Sequence, residues 1–181
     1  MQRVADSRLS TAHPWSGQGS GQAFTDLLAP LVEPGYRLAC AMLHDSHAAE
    51  DAVQEASLIA WRKVGRLHDH SRLRSWFLGI VANECRNSRR RRWVTSVNQG
   101  LPAGLSVVSA EDRVVRSTDL RRALGQLKHE DRLVVVLYFY LDMPLEEVAA
   151  VVGSSVGAAR ARLYRAVHRL RPDLAIQEAL Q

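Results

Sequence analysis

The chain has 181 residues, 46% of them apolar, enough for one packed domain or two small ones. Its 24 basic side chains outnumber 19 acids, giving a net charge of +5 and an isoelectric point near 9.8, which suits an anionic partner. No apolar run reaches the ~18 residues of a membrane span, and no apolar segment follows the N-terminal arginines as a secretory signal requires. These features predict a cytoplasmic protein without membrane insertion.

Residues 1–21 are rich in Ser, Gly, Gln and Arg without periodicity and read as a disordered N-terminal tail. From 22 to 93 the pattern is helical. The stretch "HDSHAAEDAVQEASLIAWRKV" (44–64) opens with Asp45 or Ser46 as a helix cap. Ala49, Ala52, Val53, Ala56, Ala60 and Val64 form its inward stripe, while Asp51, Gln54, Glu55, Leu58 and Arg62 share another face. A leucine among acids and an amide suits a protein interface, although a single exposed leucine is also ordinary on any surface.

The next helix, "SRLRSWFLGIVANECRNSRRRRW" (71–93), turns Leu73, Trp76, Phe77, Ile80 and Val81 partly inward. Asn83, Arg86, Asn87 and Arg90 follow at i, i+3, i+4 and i+7, within a run of five arginines between 86 and 92. Asparagine pairs with base edges, arginine with phosphate, and aromatics stack on unpaired bases. The plainer alternative is a core aromatic and a solvated basic helix end, and core is the expectation for at least one of Trp76 and Phe77.

Residues 94–118, with Gly100, Pro102, Gly104 and several serines, read as a flexible linker. Helical pattern resumes over 119–172. "RLVVVLYFYL" (132–141) has strand-like propensity but neither alternation nor a partner, and is expected to be a buried helix. "PLEEVAAVVG" (144–153) starts with Pro144 as a first helical residue and stops at Gly153, after which Ser154 or Ser155 caps a further helix.

That last helix, "SSVGAARARLYRAVHRLR" (154–171), carries five arginines and no acid. Val156, Ala159, Leu163, Ala166, Val167 and Leu170 form its apolar stripe. Gly157, Ala158, Ala161, Arg165 and His168 lie opposite, with Arg162 and Arg169 on one flank and Arg160, Tyr164 and Arg171 on the other. Small residues on the leading outer face let a backbone sink into a groove while arginines reach bases and phosphates. A short helix, a glycine turn and a longer basic helix describe a helix-turn-helix. The expected fold is therefore all-α: two small helical domains joined by a linker, the second containing the helix-turn-helix, with 173–181 as a C-terminal tail.

Other chemistry finds little support. Cys40 and Cys85 lack metal-ligand spacing and read as two buried thiols, with a disulfide as the alternative. His44, His47, His68 and His70 flank helix ends and read as solvent-exposed. There is no metal-ligand cluster, no nucleophile with a base at useful spacing and no phosphate-cradling glycine loop, so neither an enzyme nor a bound metal or cofactor is expected.

The ordered set of motifs resembles the extracytoplasmic-function (ECF) group of bacterial RNA polymerase sigma factors, over about residues 22–172. "AEDAVQEASLIAW" resembles the family's polymerase-binding helix, "LRSWFLGIVANECRNSRRRR" its −10 element helix, and "LEEVAAVVGSSVGAARARLYRA" its −35-binding helix-turn-helix. The resemblance implies a region 2-like domain over 22–93 and a region 4-like domain over 119–172. It implies that Asp51, Gln54, Glu55 and Leu58 dock on core RNA polymerase. Promoter DNA at the −10 element would meet His68, Asp69, His70, Ser71, Arg72, Asn83, Arg86, Asn87 and Arg90, with one base flipped from the stack. At the −35 element, Arg160, Tyr164 and Arg165 would read bases, Arg162 and Arg169 would hold phosphates, and Ser155 and Gly157 would complete the surface. An anti-sigma factor is a further implied partner. The sequence departs from the family's pattern at Asn87, where Asp is common, at Ser57, where an apolar residue is usual, and at "GAARAR", which lacks hydroxyls the family favours. The rival reading is a helix-turn-helix regulator acting without polymerase, which leaves the Asp51–Leu58 face and the Asn83–Arg92 helix without a task.

Overall fold

The structure, a computed structural model, describes residues 20–98 and 118–178. Among these residues every regular element is helical. The expected tail over 1–21 and linker over 94–118 lie outside the described residues, except at their edges. Ser20 and Gly21 open α1 (Ser20–Leu43), and 94–98 continue α3 (Leu73–Asn98) past its expected end.

In the first half, α1, α2 (Ser46–Lys63) and α3 pack as a three-helix bundle. Asp45, not Ser46, caps α2: its carboxylate accepts from the Ala48 amide at 2.9 Å. All six residues of the expected inward stripe of α2 are buried. Ser57 costs little, because its hydroxyl donates to the Val53 carbonyl at 2.8 Å within its own helix. Phe77 is fully buried, and Trp76 is half-buried at the edge of the same core. Helices α1 and α3 meet at Gly35, where a Cβ would stand 3.0 Å from the Phe77 ring. Cys40 and Cys85 form no disulfide, and of the two expected buried thiols only Cys85 is buried while Cys40 is half-buried; burial pushes the Cys85 thiol up to about 12.

The second half contains α4 (Thr118–Gln126), α5 (His129–Val135), α6 (Leu145–Val152) and α7 (Val156–Glu178). The backbone of α7 thus runs through most of the expected C-terminal tail. The segment 132–141 is helical through Tyr140 as expected, but its burial is interrupted before Leu141, which returns to the core. Leu133–Leu137 are buried, whereas Tyr138, Phe139 and Tyr140 are 37%, 61% and 51% exposed. The helix loosens there into a π-turn, Val136–Tyr140, closed by the Leu141 amide on the Val136 carbonyl at 3.0 Å. Arg37 of α1 covers Tyr140, its guanidinium 4.3 Å from the ring centroid.

The two domains also pack directly on each other. Leu133, Val134, Leu137, Val148 and Val151 share one continuous core with Phe77, Leu78 and Val81. Helix α6 approaches α3 at Gly79, where a Cβ would meet the Val151 carbonyl at 3.9 Å. Arg74 donates to the Leu141 carbonyl across the boundary. Arg132 does more. It donates to the carbonyls of Leu124 (2.8 Å) and Gly125 (2.9 Å) at the end of α4, and to Met42 (3.2 Å) at the end of α1. A guanidinium cannot accept a hydrogen bond, so His44 Nε2, 2.9 Å away, is the accepting nitrogen. His44 is therefore a half-buried structural residue and not the solvated one expected, whereas His47, His68 and His70 are exposed. Each set of carbonyls at a helix end is a partial negative charge that a cation stabilises.

Candidate nucleic-acid interface

The helix-turn-helix is built as its residues demand. Pro144 takes the cap position, one residue before the expected helix start, and Gly153 ends α6 at φ 68°. That left-handed conformation favours glycine. Ser155 caps α7, its Oγ accepting from the Ala158 amide at 3.2 Å. Ala159, Ala166 and Leu170 are buried, and Val156, Leu163 and Val167 half-buried, as the stripe predicts. On the opposite side Gly157, Ala158, Arg160, Ala161, Arg165 and His168 are exposed, and Tyr164 is 73% exposed. The leading face of α7 is thus open, narrow and unpaired.

On one flank, Arg162 and Arg169 are engaged. Arg169 Nη1 pairs with Asp131 Oδ2 at 2.9 Å, and Arg162 lies 3.7 Å from Glu130. Glu130 also receives a two-pronged bond from Arg86 of α3, with Nε–Oε1 at 2.8 Å and Nη2–Oε2 at 3.0 Å. The Arg86 bond is the largest cause holding the Glu130 carboxyl below its ordinary range, and Glu130 in turn raises Arg86. Arg89, Lys128, His129, Glu130, Asp131, Arg162 and Arg165 line one cleft where the end of α3 faces α5 and α7. Burial, then the nearby Arg89, lowers His129 to about 4, and its Nε2 is buried without a hydrogen-bond partner. Glu130, Asp131 and Arg89 were not singled out by sequence reasoning. Two acids behind a lysine read as an ordinary helix start, and nothing local points to arginines far along the chain.

On α3, Asn83 is exposed and accepts from Arg86 at 2.6 Å. Asn87 is half-buried and donates to Glu84 at 3.0 Å, while Arg90 is exposed. Arg92 leaves the basic run to pair with the α2 cap Asp45 at 2.7 Å. The Ala48 amide is the main cause that lowers Asp45, with Arg92 adding to it. His68, Asp69, His70, Ser71 and Arg72 form an exposed corner before α3. Asp69 organises it by accepting from the Ser71 amide at 3.0 Å and from the Ser71 hydroxyl, and the hydroxyl contact is what chiefly depresses its carboxyl. On α2, Asp51, Gln54, Glu55 and Leu58 are all exposed, Leu58 by 50%, with Trp61 beside them at 40%. The structure therefore groups the sequence-read residues into three exposed areas, on α2, on α3 with its preceding corner, and on α7.

Residues 26–95 match the Sigma-70 region 2 model, and residues 117–170 match the Sigma-70 region 4 model. The chain is 32% identical over 151 residues to the ECF RNA polymerase sigma factor SigL of Mycobacterium tuberculosis, covering 79% of this chain and 82% of that protein. This chain belongs to the ECF group of sigma factors. A second relative of this sigma factor is the RNA polymerase sigma factor SigV of Bacillus subtilis, 29% identical over 139 residues, covering 77% of this chain and 83% of that one. Its fold is similar to that of the sigma factor RpoE of Bartonella quintana, solved with the anti-sigma factor NepR, at a TM-score of 0.73 and 24% identity, covering 86% of this chain and 98% of that one. As a sigma factor it binds core RNA polymerase and directs promoter recognition and transcription initiation. The region 2 match spans α2 and most of α3, so a stand-alone helix-turn-helix regulator is not favoured. Among the described residues, no helix is long and apolar enough to cross a membrane.

Proposed function

We propose that the three exposed areas divide the sigma factor's work. Asp51, Gln54, Glu55 and Leu58 on α2 dock on core polymerase. Asn83, Arg86, Asn87 and Arg90, with the corner 68–72, receive the −10 element. Arg160, Tyr164 and Arg165 read −35 bases from the major groove, while Arg162 and Arg169 hold phosphates, and Ser155 and Gly157 bring the α7 backbone close. The open leading face of α7 carries this reading: only small side chains stand where a groove floor would come nearest. The protein acts in the cytoplasm, performs no covalent chemistry of its own and is held in check by an anti-sigma factor. The fold likeness to a sigma factor solved with such a partner supports that last element. Run-off transcription with purified core polymerase on a promoter library tests polymerase dependence and specificity together. Transcription that does not depend on this chain, or that ignores promoter sequence, rejects the proposal.

A further inference from the structure

Cations from three elements converge on one cleft of about 490 Å³: Arg89 of α3, Lys128 before α5 and Arg165 of α7. Among the described residues none of them pairs with an acid. The carboxylates of the cleft are already committed, Glu130 to Arg86 and Asp131 to Arg169. Like charges gathered in this way repel one another, and a concave surface of one sign draws in counter-ions. In the same lining, His129 is only 8% exposed, and its Nε2 is buried without a hydrogen-bond partner. A neutral imidazole with its proton on that nitrogen is a donor without an acceptor. Two separate features thus call for an anion. The volume falls in the range of small-molecule sites, whereas a DNA duplex is convex and wider than the cleft. A single phosphate reaches too short a distance to meet cations on three elements, and linked phosphates span it.

We propose that this cleft binds a small ligand carrying linked phosphates, such as the diphosphate of a nucleotide, held by Arg89, Lys128 and Arg165 with His129 beside them. The arginines supply planar forks that match phosphate oxygens, and the lysine supplies a point charge. Arg89 stands on α3 and Arg165 on α7, so the ligand bridges the first half of the chain to the second. The site is additional to the polymerase and DNA surfaces, and it does not depend on which bases α7 reads.

The test titrates sodium pyrophosphate into the full chain at constant ionic strength, followed by calorimetry and by the NMR signals of the His129 ring. Arg89, Lys128 and Arg165 are exposed, so Arg89→Ala, Lys128→Ala and Arg165→Ala should fold normally, which circular dichroism checks. Each is expected to weaken pyrophosphate about tenfold, the loss of one charge-assisted contact. Lys63→Ala removes an exposed cation outside the cleft and should leave the affinity unchanged. Pyrophosphate should shift the Nε2 resonance of His129 at neutral pH, and adenosine diphosphate should compete for the same site. Absence of binding at millimolar pyrophosphate overturns the proposal. Equal affinity for inorganic phosphate, or a loss in Lys63→Ala that matches the cleft variants, overturns it as well, since either means general charge attraction. Binding that leaves the His129 ring unmoved places the anion elsewhere. A scrambled DNA duplex that displaces pyrophosphate and shifts His129 in the same way makes the cleft part of the DNA surface, and the small-ligand site is then wrong.

Discussion

Arg86 and Glu130 stand 44 residues apart in sequence and meet side by side, two guanidinium nitrogens on two carboxylate oxygens at 2.8 and 3.0 Å. The pair joins the middle of α3 to the first turn of α5. Lysine has no planar fork, so Arg86→Lys retains the charge and loses the geometry. The pair is partly open to solvent, so the stability cost should be only about 0.5–1 kcal/mol. Urea unfolding of the full chain measures it, and raising salt should shrink the difference between the two proteins.

The α2 surface yields a sharper separation of folding from function. Asp51 and Glu55 are exposed and contribute nothing to the core. Reversing both to arginine should leave the melting temperature nearly unchanged. Affinity for core polymerase should fall on the order of 100-fold, because like charges at an interface cost several kcal/mol. Unchanged affinity by fluorescence anisotropy would remove α2 from the polymerase interface.

For α7 the two classes of arginine should differ. Arg165→Ala should cost roughly 1–3 kcal/mol on the preferred −35 sequence and much less on scrambled DNA. Arg169→Ala should weaken all sequences similarly and reduce the salt slope by about one. Ala161→Leu, at an exposed position, should spare stability and impair −35 binding. Measured by titration across a salt series in polymerase holoenzyme, equal losses on matched and scrambled duplexes would mean that α7 reads no bases.

Burial and the surrounding arginines hold His129 at about 4, below its ordinary 6.5. Between these values the unfolded chain binds a proton that the folded chain refuses, so stability rises with pH across that window and is lost as pH falls through it. The loss from pH 7 to pH 4 should reach roughly 3 kcal/mol. His129→Leu should flatten this slope in urea titrations at several pH values; a slope identical to wild type would assign the acid sensitivity elsewhere.

Gly153 has φ 68° and open space around a would-be Cβ. Gly153→Ala should therefore cost about 1–2 kcal/mol from backbone strain alone, with no steric clash to relieve. Gly153→Asn should recover part of it, since asparagine tolerates this conformation. Thermal melts of both variants decide the point.

What could be read from the sequence was local. The stripe Ala49–Val64 and the stripe Val156–Leu170 emerge from helical periodicity, because a face that must leave water advertises itself every third or fourth residue. The same logic placed Asp51–Leu58 and the small face of α7 outside. Relations set by the approach of distant elements left no such trace. Arg86 reads as a DNA contact and Glu130 as a helix start, and neither signals the other. Arg132 ties the end of α4 to the end of α1 through the carbonyls of Leu124, Gly125 and Met42, yet in sequence it is one arginine among 22. His44 reads as a loop residue because its partner lies 88 positions away. The strand-like "VVVLYFY" was correctly helical, but periodicity assumes an unbroken α-helical winding, and the π-turn interrupts it.

That wide turn amounts to a single extra residue accommodated in the last turn of a helix. In an unbroken α-helix each added residue rotates everything after it by about 100°. The wide turn at Val136–Tyr140 absorbs the addition and hands Leu141 and Met143 to the core while leaving three aromatic rings outside. Deleting one residue here would not merely shorten a helix. It would re-index the chain downstream, so that the orientation of the helix-turn-helix behind it is, in effect, a counting problem solved at one turn.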